Sequence, residues 1–443
     1  MCLHASLSCR IGGSPLSLPT NSYHGQALFA VPRRAAADRK RLLPLRRAAR
    51  SRRIVVRSCD DFFFRDRVMT TSAFLYAGTY STAGAAGQPG HPAGIHVLRL
   101  DPVSGLLQPA SVTATPEPSW LAASPDGRFL YAVNEVSEFA GRPGGGVSAF
   151  AVDPVTGGLV QLNSQPTTGR LPCHCVTDAG GRVLLVAGYL DGTVELFPIA
   201  ADGRLGPAVT VRRHAGSSVH PRRQAGPHAH SVTLDPAGRF LLVADLGTDR
   251  VAVYELDAGQ RTLTARPERD ARVEPGSGPR HLAFHPVGRF VYLVNEMAAT
   301  VTAFGYDEAA GALRELQTVS ALPEGFTGFR AAAEIAVHPA GRFLYVTNRS
   351  DGSSHEPAER GEDTIAWFEI DPGTGRLTPR GRVPSGGDTP RTLTISPDGS
   401  RLYVANQSAG NLTTFLIDEE TGAPTAAGQV TPVAGPVSLL IAG

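Results

Sequence analysis

The segment GPRHLAFHPVGRFVYLVNE, residues 278–296, contains the pattern that decides the fold. A β-rich run ends in a Pro-Val-Gly-Arg turn and is followed by a second run of aromatic and β-branched residues, which is typical of two strands joined tightly. The same pattern recurs along the chain. Its turn glycines, 50 to 58 residues apart, are Gly127, Gly181, Gly238, Gly288, Gly341 and Gly399. This period predicts a β-propeller in which each repeat forms one four-stranded blade.

A second turn signature gives the number of blades. It is a hairpin with Asp near its start and Gly at its corner, where Gly supplies the positive φ of a tight turn and Asp caps the turn. The hairpin aspartates are Asp101, Asp153, Asp202, Asp257, Asp307, Asp371 and Asp418. The signature therefore predicts seven blades.

The two ends of the repeat array complement each other. The first unit begins at Phe74 with the pattern of a second strand, whereas residues 436–443 have the pattern of an inner strand with nothing after it. We expect the two segments to pair, because closing the ring removes free sheet edges. The predicted fold is an all-β seven-bladed β-propeller over residues 73–443, closed by pairing of the N- and C-terminal strands.

Charge is distributed unevenly along the chain. Residues 1–68 contain 14 Lys or Arg and 4 Asp, which leaves 28 basic and 36 acidic residues, a net charge of −8, for the remainder. The remainder is mildly acidic, so it has no net positive charge that would attract nucleic acid or a membrane surface. Residues 1–68 are rich in Arg and Ser and poor in acids, as transit peptides are. We expect a disordered basic extension and a plastid location, or a cytoplasmic location if translation starts at Met69.

The cysteines and the hydropathy point to a protein without disulfides or membrane spans. Cys2, Cys9, Cys59, Cys173 and Cys175 form no even, spaced framework, which fits a reducing compartment. No apolar run approaches the ~18 residues that would span a bilayer. Cys173 and Cys175 flank His174, but adjacent strand positions do not all point at one metal, so we expect buried side chains rather than a zinc site.

Strand polarity assigns the residues with chemical potential to one face. If the inner strands start at the top, the Pro-Gly-Arg turns and the Asp-Gly hairpins both lie at the bottom. The top face then receives His228, His230, Asp245, Arg280, His281, Glu296, Glu334, Arg349 and the basic loop of residues 212–226 with Arg223. Such a cluster at one mouth of the channel is where a propeller holds a small anionic ligand.

Three segments carry a resemblance to a known family. GPHAHSVTLDPAGRFLLVADLGTDRV (residues 226–251), GPRHLAFHPVGRFVYLVNE and AAEIAVHPAGRFLYVTNR (residues 332–349) resemble the lactonase family of seven-bladed propellers. This family includes bacterial 6-phosphogluconolactonases and fungal carboxymuconate-lactonizing enzymes, and the resemblance covers residues 73–443. Two departures are a longer polar loop at residues 350–363 and Gly188 at a position where Asn is usual.

The resemblance implies hydrolysis of a sugar lactone, 6-phosphogluconolactone, in the pentose phosphate pathway, without a metal or an organic cofactor. The implied catalytic residues are a histidine, His230 or His228, together with Arg280, Glu296 and Arg349, and we take His230 as the histidine. From their position on the top face we expect substrate contacts from His228, His281, Arg223, Glu334 and Asp245. Glu296 or His230 is the candidate base that activates water, and the arginines are candidates to hold anionic groups.

Two other functions remain open at this stage. The same residues suit proton transfer in a carboxymuconate-type cycloisomerase, and a propeller can also be a noncatalytic interaction scaffold. We expect a small anionic sugar lactone as the partner, neither nucleic acid nor a membrane, and a monomer or homodimer.

Overall fold

The computed structural model describes residues 73–81, 94–350, 361 and 363–442. The predicted extension of residues 1–68, with its transit peptide, lies outside the described residues, as does most of the polar loop at residues 350–363. The described part is β-structure, turns and loops apart from one 3₁₀ turn at Pro267–Arg269. No helix of this part is long and apolar enough to cross a membrane.

Seven antiparallel sheets form the blades, which we number in chain order. Blade 1 contains β1 (Ala73–Thr79), β2 (Gly94–Leu100), β3 (Leu107–Ala114) and β31 (Pro436–Ala442), and blade 2 contains β4 (Leu121–Ala123), β5 (Phe129–Asn134), β8 (Gly146–Val152) and β9 (Leu159–Pro166). A small ribbon of β6 (Glu138–Phe139) and β7 (Arg142–Pro143) extends from blade 2. Blade 3 contains β10 (Pro172–Thr177), β11 (Val183–Gly188), β12 (Thr193–Pro198) and β13 (Thr210–Arg213).

Blade 4 contains β14 (Ala229–Leu234), β15 (Phe240–Asp245), β16 (Arg250–Asp257) and β17 (Thr262–Ala265), with β18 (Ala271–Arg272) also paired to β16. Blade 5 contains β19 (Pro279–Phe284), β20 (Phe290–Asn295), β21 (Thr300–Asp307) and β22 (Ala312–Ser320). Blade 6 contains β23 (Ala332–Val337), β24 (Phe343–Asn348), β25 (Thr364–Ile370) and β26 (Leu377–Pro384). Blade 7 contains β27 (Pro390–Ile395), β28 (Arg401–Asn406), β29 (Asn411–Ile417) and β30 (Pro424–Pro432).

The ring closes through the two ends of the array, as predicted. Strand β31 pairs antiparallel with β1, in a register that sets Phe74 opposite Ala442 and Ala77 opposite Leu439. Each inner strand also packs against the inner strands of both neighbouring blades, β31 against β27 and β4 included. The seven-bladed propeller is therefore confirmed, and its inner strands surround a central channel.

Adjacent blades are joined near the bottom face by a repeated contact. The hydroxyl of Tyr76 in β1 donates a hydrogen bond to the carbonyl of Gly157, the corner of the next blade's hairpin, at 3.0 Å. A Cβ on Gly157 would lie 2.5 Å from the ring of Phe74, and its φ is +70°, so only glycine fits there. The same Tyr-to-Gly bond is made by Tyr131, Tyr292, Tyr345 and Tyr403 to Gly203, Gly375, Gly422 and Gly105.

Six inner strands bulge close to the residue at which they start. In β19 the register pairs Pro279 with Asn295 and then His281 with Val294, so Arg280 is skipped. Bulges redirect one side chain and are frequent beside active sites. Single residues skipped in this way are Cys173, His230, Arg280, Arg391 and Val437, and β23 skips two residues, Ala333 and Glu334. We call the top end of the channel, where the inner strands start, the mouth.

Candidate active site

Four basic side chains surround one buried carboxylate at the mouth, that of Glu296. Arg280 Nε and Arg349 Nη2 each lie 3.0 Å from Oε2 of this carboxylate, and Arg223 Nη2 lies 2.6 Å from Oε1. His230 Nε2 is 3.9 Å from Oε2. These groups come from the loop before β14, the bulges of β14 and β19, and the ends of β20 and β24. The propeller thus brings together residues that are more than a hundred positions apart.

The electrostatic balance of this cluster favours an anionic ligand. Burial alone would raise the pKa of Glu296, but the charges of Arg223, Arg349 and Arg280 hold it well below its ordinary value. Burial and the charge of Arg349 lower the pKa of Arg280 to about 10, so this guanidinium stays protonated at neutral pH. Among the described residues, three guanidinium groups share this one carboxylate. A site of this kind attracts phosphate or a developing oxyanion.

The environment of His230 keeps its imidazole neutral. Burial, followed by the charges of Arg280 and His281, holds the pKa of His230 well below that of an exposed histidine. The thiol of Cys173 lies 3.9 Å from its Nδ1 and donates to its backbone carbonyl at 3.2 Å. Both groups have a lowered pKa, but the Glu296 carboxylate is held by three guanidiniums at 2.6–3.0 Å. The ring nitrogens of His230 lie 3.9 Å from Cys173 Sγ and Glu296 Oε2, too far for strong hydrogen bonds. Of the two candidate bases, the geometry therefore favours His230.

A second polar layer lies one residue further along the inner strands. His281 Nδ1 is 3.0 Å from Oε1 of Glu334, and Thr392 donates to Oε2 of the same carboxylate at 3.3 Å. Burial raises the pKa of Glu334 to about 7. Arg280 Nη1 is 3.3 Å from His281 Nε2 and donates to the carbonyl of Ala333 at 2.6 Å. His281 and Glu334, which we expected to contact substrate, therefore support Arg280 from below.

His228 and Arg223 line the mouth next to Tyr189. The ring of His228 stacks on Tyr189 with centroids 4.7 Å apart, and Arg223 Nη2 lies 3.2 Å from the phenol oxygen. Arg223 has 17% of its side chain exposed, against 3% each for Arg280 and Arg349. It is therefore the most accessible of the three arginines.

Asp245 is placed differently from the substrate contact that we expected. Its side chain is fully buried, and Oδ2 lies 2.6 Å from His214 Nδ1. Its Oδ1 accepts hydrogen bonds from the backbone amides of His228 and Gly247 at 2.8 and 3.0 Å. Asp245 thus fixes the backbone that carries His228, and its carboxylate does not face the mouth.

Three residues at the mouth are absent from the sequence-based prediction. Arg391 Nη2 donates to the hydroxyl of Tyr80 at 2.9 Å, and this hydroxyl donates to Oε2 of Glu135 at 2.7 Å. The sequence contains the signal for them, because Arg391 stands in PRTL where Arg280 stands in PRHL. Tyr80 and Glu135 directly follow second strands, as Glu296 does. We call these three residues the Tyr80 triad.

The described residues contain no group of three or more His, Cys, Asp or Glu arranged to hold a metal ion. Cys173 and Cys175 are both buried thiols. Cys175 packs in the core between blades 2 and 3, whereas Cys173 contacts blade 4. The two thiols therefore lie against different neighbouring blades.

Comparison with known proteins gives consistent results. The sequence profile described as lactonase, 7-bladed β-propeller, matches residues 74–441. The chain is 34% identical over 363 residues to a Bacillus subtilis protein named 6-phosphogluconolactonase, an alignment that covers 82% of this chain and 96% of that protein. A 6-phosphogluconolactonase of Formosa agariphila is 33% identical over 331 residues, or 74% and 90% of the two chains. Among solved structures, a periplasmic gluconolactonase of Pseudomonas aeruginosa matches with a TM-score of 0.75 and 35% identity, over 84% of this chain and 99% of that one.

Proposed function

The chain belongs to the lactonase family of seven-bladed β-propellers, and on that premise we propose that it hydrolyses 6-phosphogluconolactone to 6-phosphogluconate. The observation that carries this proposal is the cluster at Glu296, where the guanidinium groups of Arg223, Arg280 and Arg349 converge on one carboxylate beside a neutral His230. The substrate is an anion, and its hydrolysis builds further negative charge on the carbonyl oxygen. Positive charge that is already in place stabilises both.

His230 is the proposed general base. Its imidazole takes a proton from water as the water oxygen bonds to the lactone carbonyl carbon. The resulting tetrahedral oxyanion is stabilised by Arg280 and Arg349, which Glu296 holds in position. The bond from this carbon to the ring oxygen then breaks, the electron pair stays on the ring oxygen, and His230 returns the proton to it. The products are a hydroxyl group and a carboxylic acid, and the acid then releases its proton to solvent and becomes the carboxylate.

Arg223 is the proposed contact for the phosphate group. It is the most accessible arginine of the cluster, and its guanidinium already lies beside the phenol of Tyr189. A planar guanidinium binds phosphate oxygens through two parallel hydrogen bonds. His228 stacks on the same Tyr189 ring and is placed to line this side of the site.

The test is an assay of the purified protein with 6-phosphogluconolactone, following acid release against the spontaneous rate. We expect hydrolysis well above that rate. A parallel assay with carboxymuconate tests the cycloisomerase alternative, which turnover of that substrate alone would favour. Absence of turnover with both substrates would favour the noncatalytic scaffold and would reject the proposal. The plastid location remains a prediction, and N-terminal sequencing of the mature protein tests it.

A further inference from the structure

The Tyr80 triad lies at the same mouth as the Glu296 cluster but on other blades. Tyr80, Glu135 and Arg391 belong to blades 1, 2 and 7, and the residues around Glu296 come from blades 4 to 6 and the loop before β14. Arg391 occupies the bulge of β27, as Arg280 does in β19. Burial lowers the pKa of His281 most, and the charges of Arg280 and Arg391 both lower it further. Because both arginines occupy equivalent bulges near the starts of inner strands, the two groups of residues lie at the same end of the channel, on different blades.

The triad differs from the Glu296 cluster in charge. One guanidinium, that of Arg391, is joined to one carboxylate, that of Glu135, through the phenol of Tyr80. Burial raises the pKa of Tyr80 well above its ordinary value, so the bridging phenol is protonated. The ring of Tyr80 also lies 5.2 Å from the Arg391 guanidinium carbon, which fixes both side chains. The triad thus offers donors and acceptors without surplus charge.

Glu135 has an acceptor that is available to a ligand. Tyr80 donates to Oε2, and within the described ranges no residue donates a hydrogen bond to Oε1. The residue is partly exposed at the mouth, in contrast to the buried Glu296. A partly exposed carboxylate that is linked to a guanidinium through a phenol suits a neutral hydroxyl group, whereas it repels a phosphate.

The structure of the lactone matches the arrangement of the mouth, in which the arginine cluster and the Tyr80 triad lie on different blades. In a six-membered gluconolactone the carbonyl carbon, the ring oxygen and the carbon that carries the phosphorylated arm are consecutive, so they form one edge of the ring. The hydroxyl groups on carbons 2, 3 and 4 form the opposite edge. When the lactone ring binds with its carbonyl group and phosphorylated arm against the arginines, its hydroxyl groups point towards the triad.

We propose that the Tyr80 triad is a hydroxyl-binding subsite that orients the lactone ring against His230 and the arginines. This inference rests on the proposed function and adds to it the positioning residues for the sugar. Tyr80 holds Arg391 and Glu135 in place, and Glu135 and Arg391 bind the hydroxyls. The subsite makes the enzyme selective for polyhydroxy lactones.

The test is to assay variants of the triad with substrates that each lack one hydroxyl group. Glu135→Gln and Tyr80→Phe are assayed with 6-phosphogluconolactone and with its 2-deoxy, 3-deoxy and 4-deoxy analogues. We expect kcat/KM for the full substrate to fall about tenfold or more in each variant, because a hydroxyl partner is lost. The loss should disappear for at least one deoxy analogue, since that contact is already missing there. Tyr76→Phe is the matched control, because it removes a buried phenol hydroxyl from β1, the strand that Tyr80 follows, at a position far from the mouth.

Each outcome separates the subsite from the proposed function. An equal loss on all four substrates would reduce the triad to a structural role and overturn the inference, as would an unchanged kcat/KM in Glu135→Gln. A wild-type protein that hydrolyses none of the lactones would reject the proposed function and the inference with it. Should Tyr80→Phe lower the melting temperature more than Tyr76→Phe does, the decision rests on Glu135→Gln.

Discussion

The guanidinium of Arg223 lies 2.6 Å from the carboxylate of Glu296 and joins a loop at the mouth to a buried acid. Because Arg223 is the more accessible partner, a substrate phosphate reaches it first. For Arg223→Gln we expect KM for 6-phosphogluconolactone to rise about tenfold or more, since a charge-assisted hydrogen bond is lost. KM for gluconolactone, which has no phosphate, should change little. Steady-state kinetics measure both, and Arg222→Gln, at the exposed neighbouring position, is the control.

Replacing Glu296 by Gln removes the carboxylate that three guanidinium groups share. We expect the free energy of unfolding to fall by about 3 kcal/mol, because each arginine loses a buried ion pair. Urea unfolding measures this change, and 6-phosphogluconate should recover part of it by supplying a negative charge. Glu195→Gln is a suitable control, because Glu195 is buried but accepts hydrogen bonds from the backbone amides of Thr168 and Gly169. A similar loss in both variants would contradict the charge argument.

His230→Gln should lower kcat at least about a hundredfold, because the proton acceptor is lost. The pKa of His230 in the free enzyme is held well below the usual histidine value by burial and by Arg280. The imidazole therefore stays neutral at mildly acidic pH, and kcat/KM should show no fall between about pH 8 and the ordinary histidine pKa of about 6.5. Stopped-flow acid release, corrected for spontaneous hydrolysis, tests this. A decline centred near 6.5 would show that another group is the base.

Stability should decrease as the pH falls from about 7 to about 5.5, through the ordinary histidine pKa of about 6.5. Burial lowers the pKa of His174, His230 and His281, so the unfolded chain binds protons there that the folded chain does not. Glu334, whose pKa burial raises to about 7, acts in the opposite direction, because the folded chain gains that proton first. Three histidines outweigh one carboxyl group. Urea unfolding across this range measures the slope, which His174→Gln should make shallower.

The contact between blades predicts a difference between two glycines of equal backbone conformation. Gly157 and Gly127 have φ of +70° and +69°, but a Cβ would meet the Phe74 ring only at Gly157. Gly127→Ala should cost about 1 kcal/mol of stability through backbone strain alone. Gly157→Ala should cost about 1–3 kcal/mol more, because the ring must move. Equal losses in denaturant unfolding would show that the packing contact contributes nothing.

The fold could be predicted because the same strand–turn–strand pattern recurs in successive repeats of the sequence. The turn glycines and the incomplete unit at Phe74 determine the number of blades and the pairing that closes the ring, and the structure agrees. Strand polarity also identified the face on which Arg280 and Glu296 meet. Neither inference needed the position of any individual side chain.

The finer arrangement of the site depends on features that residue patterns do not carry. Asp245 ends a second strand, a position that predicts a substrate contact, and in the fold its carboxylate pairs with His214, which lies 31 positions earlier in the chain. Only the folded loop brings these two residues together. Arg391 was overlooked although it repeats the motif of Arg280. The bulges that set the direction of both arginine side chains arise from the pairing register. That register depends on the neighbouring strand as well as on the strand that contains the arginine.

The bulge at the start of six inner strands gives this scaffold a set of interchangeable positions. A skipped residue contributes a side chain to the rim of the channel while the pairing on either side of it continues, so its replacement leaves the blade core intact. Val437 and Ala333 occupy such positions with apolar side chains. Single exchanges at these positions therefore change the side chains at the mouth while the strand pairing that carries them is kept.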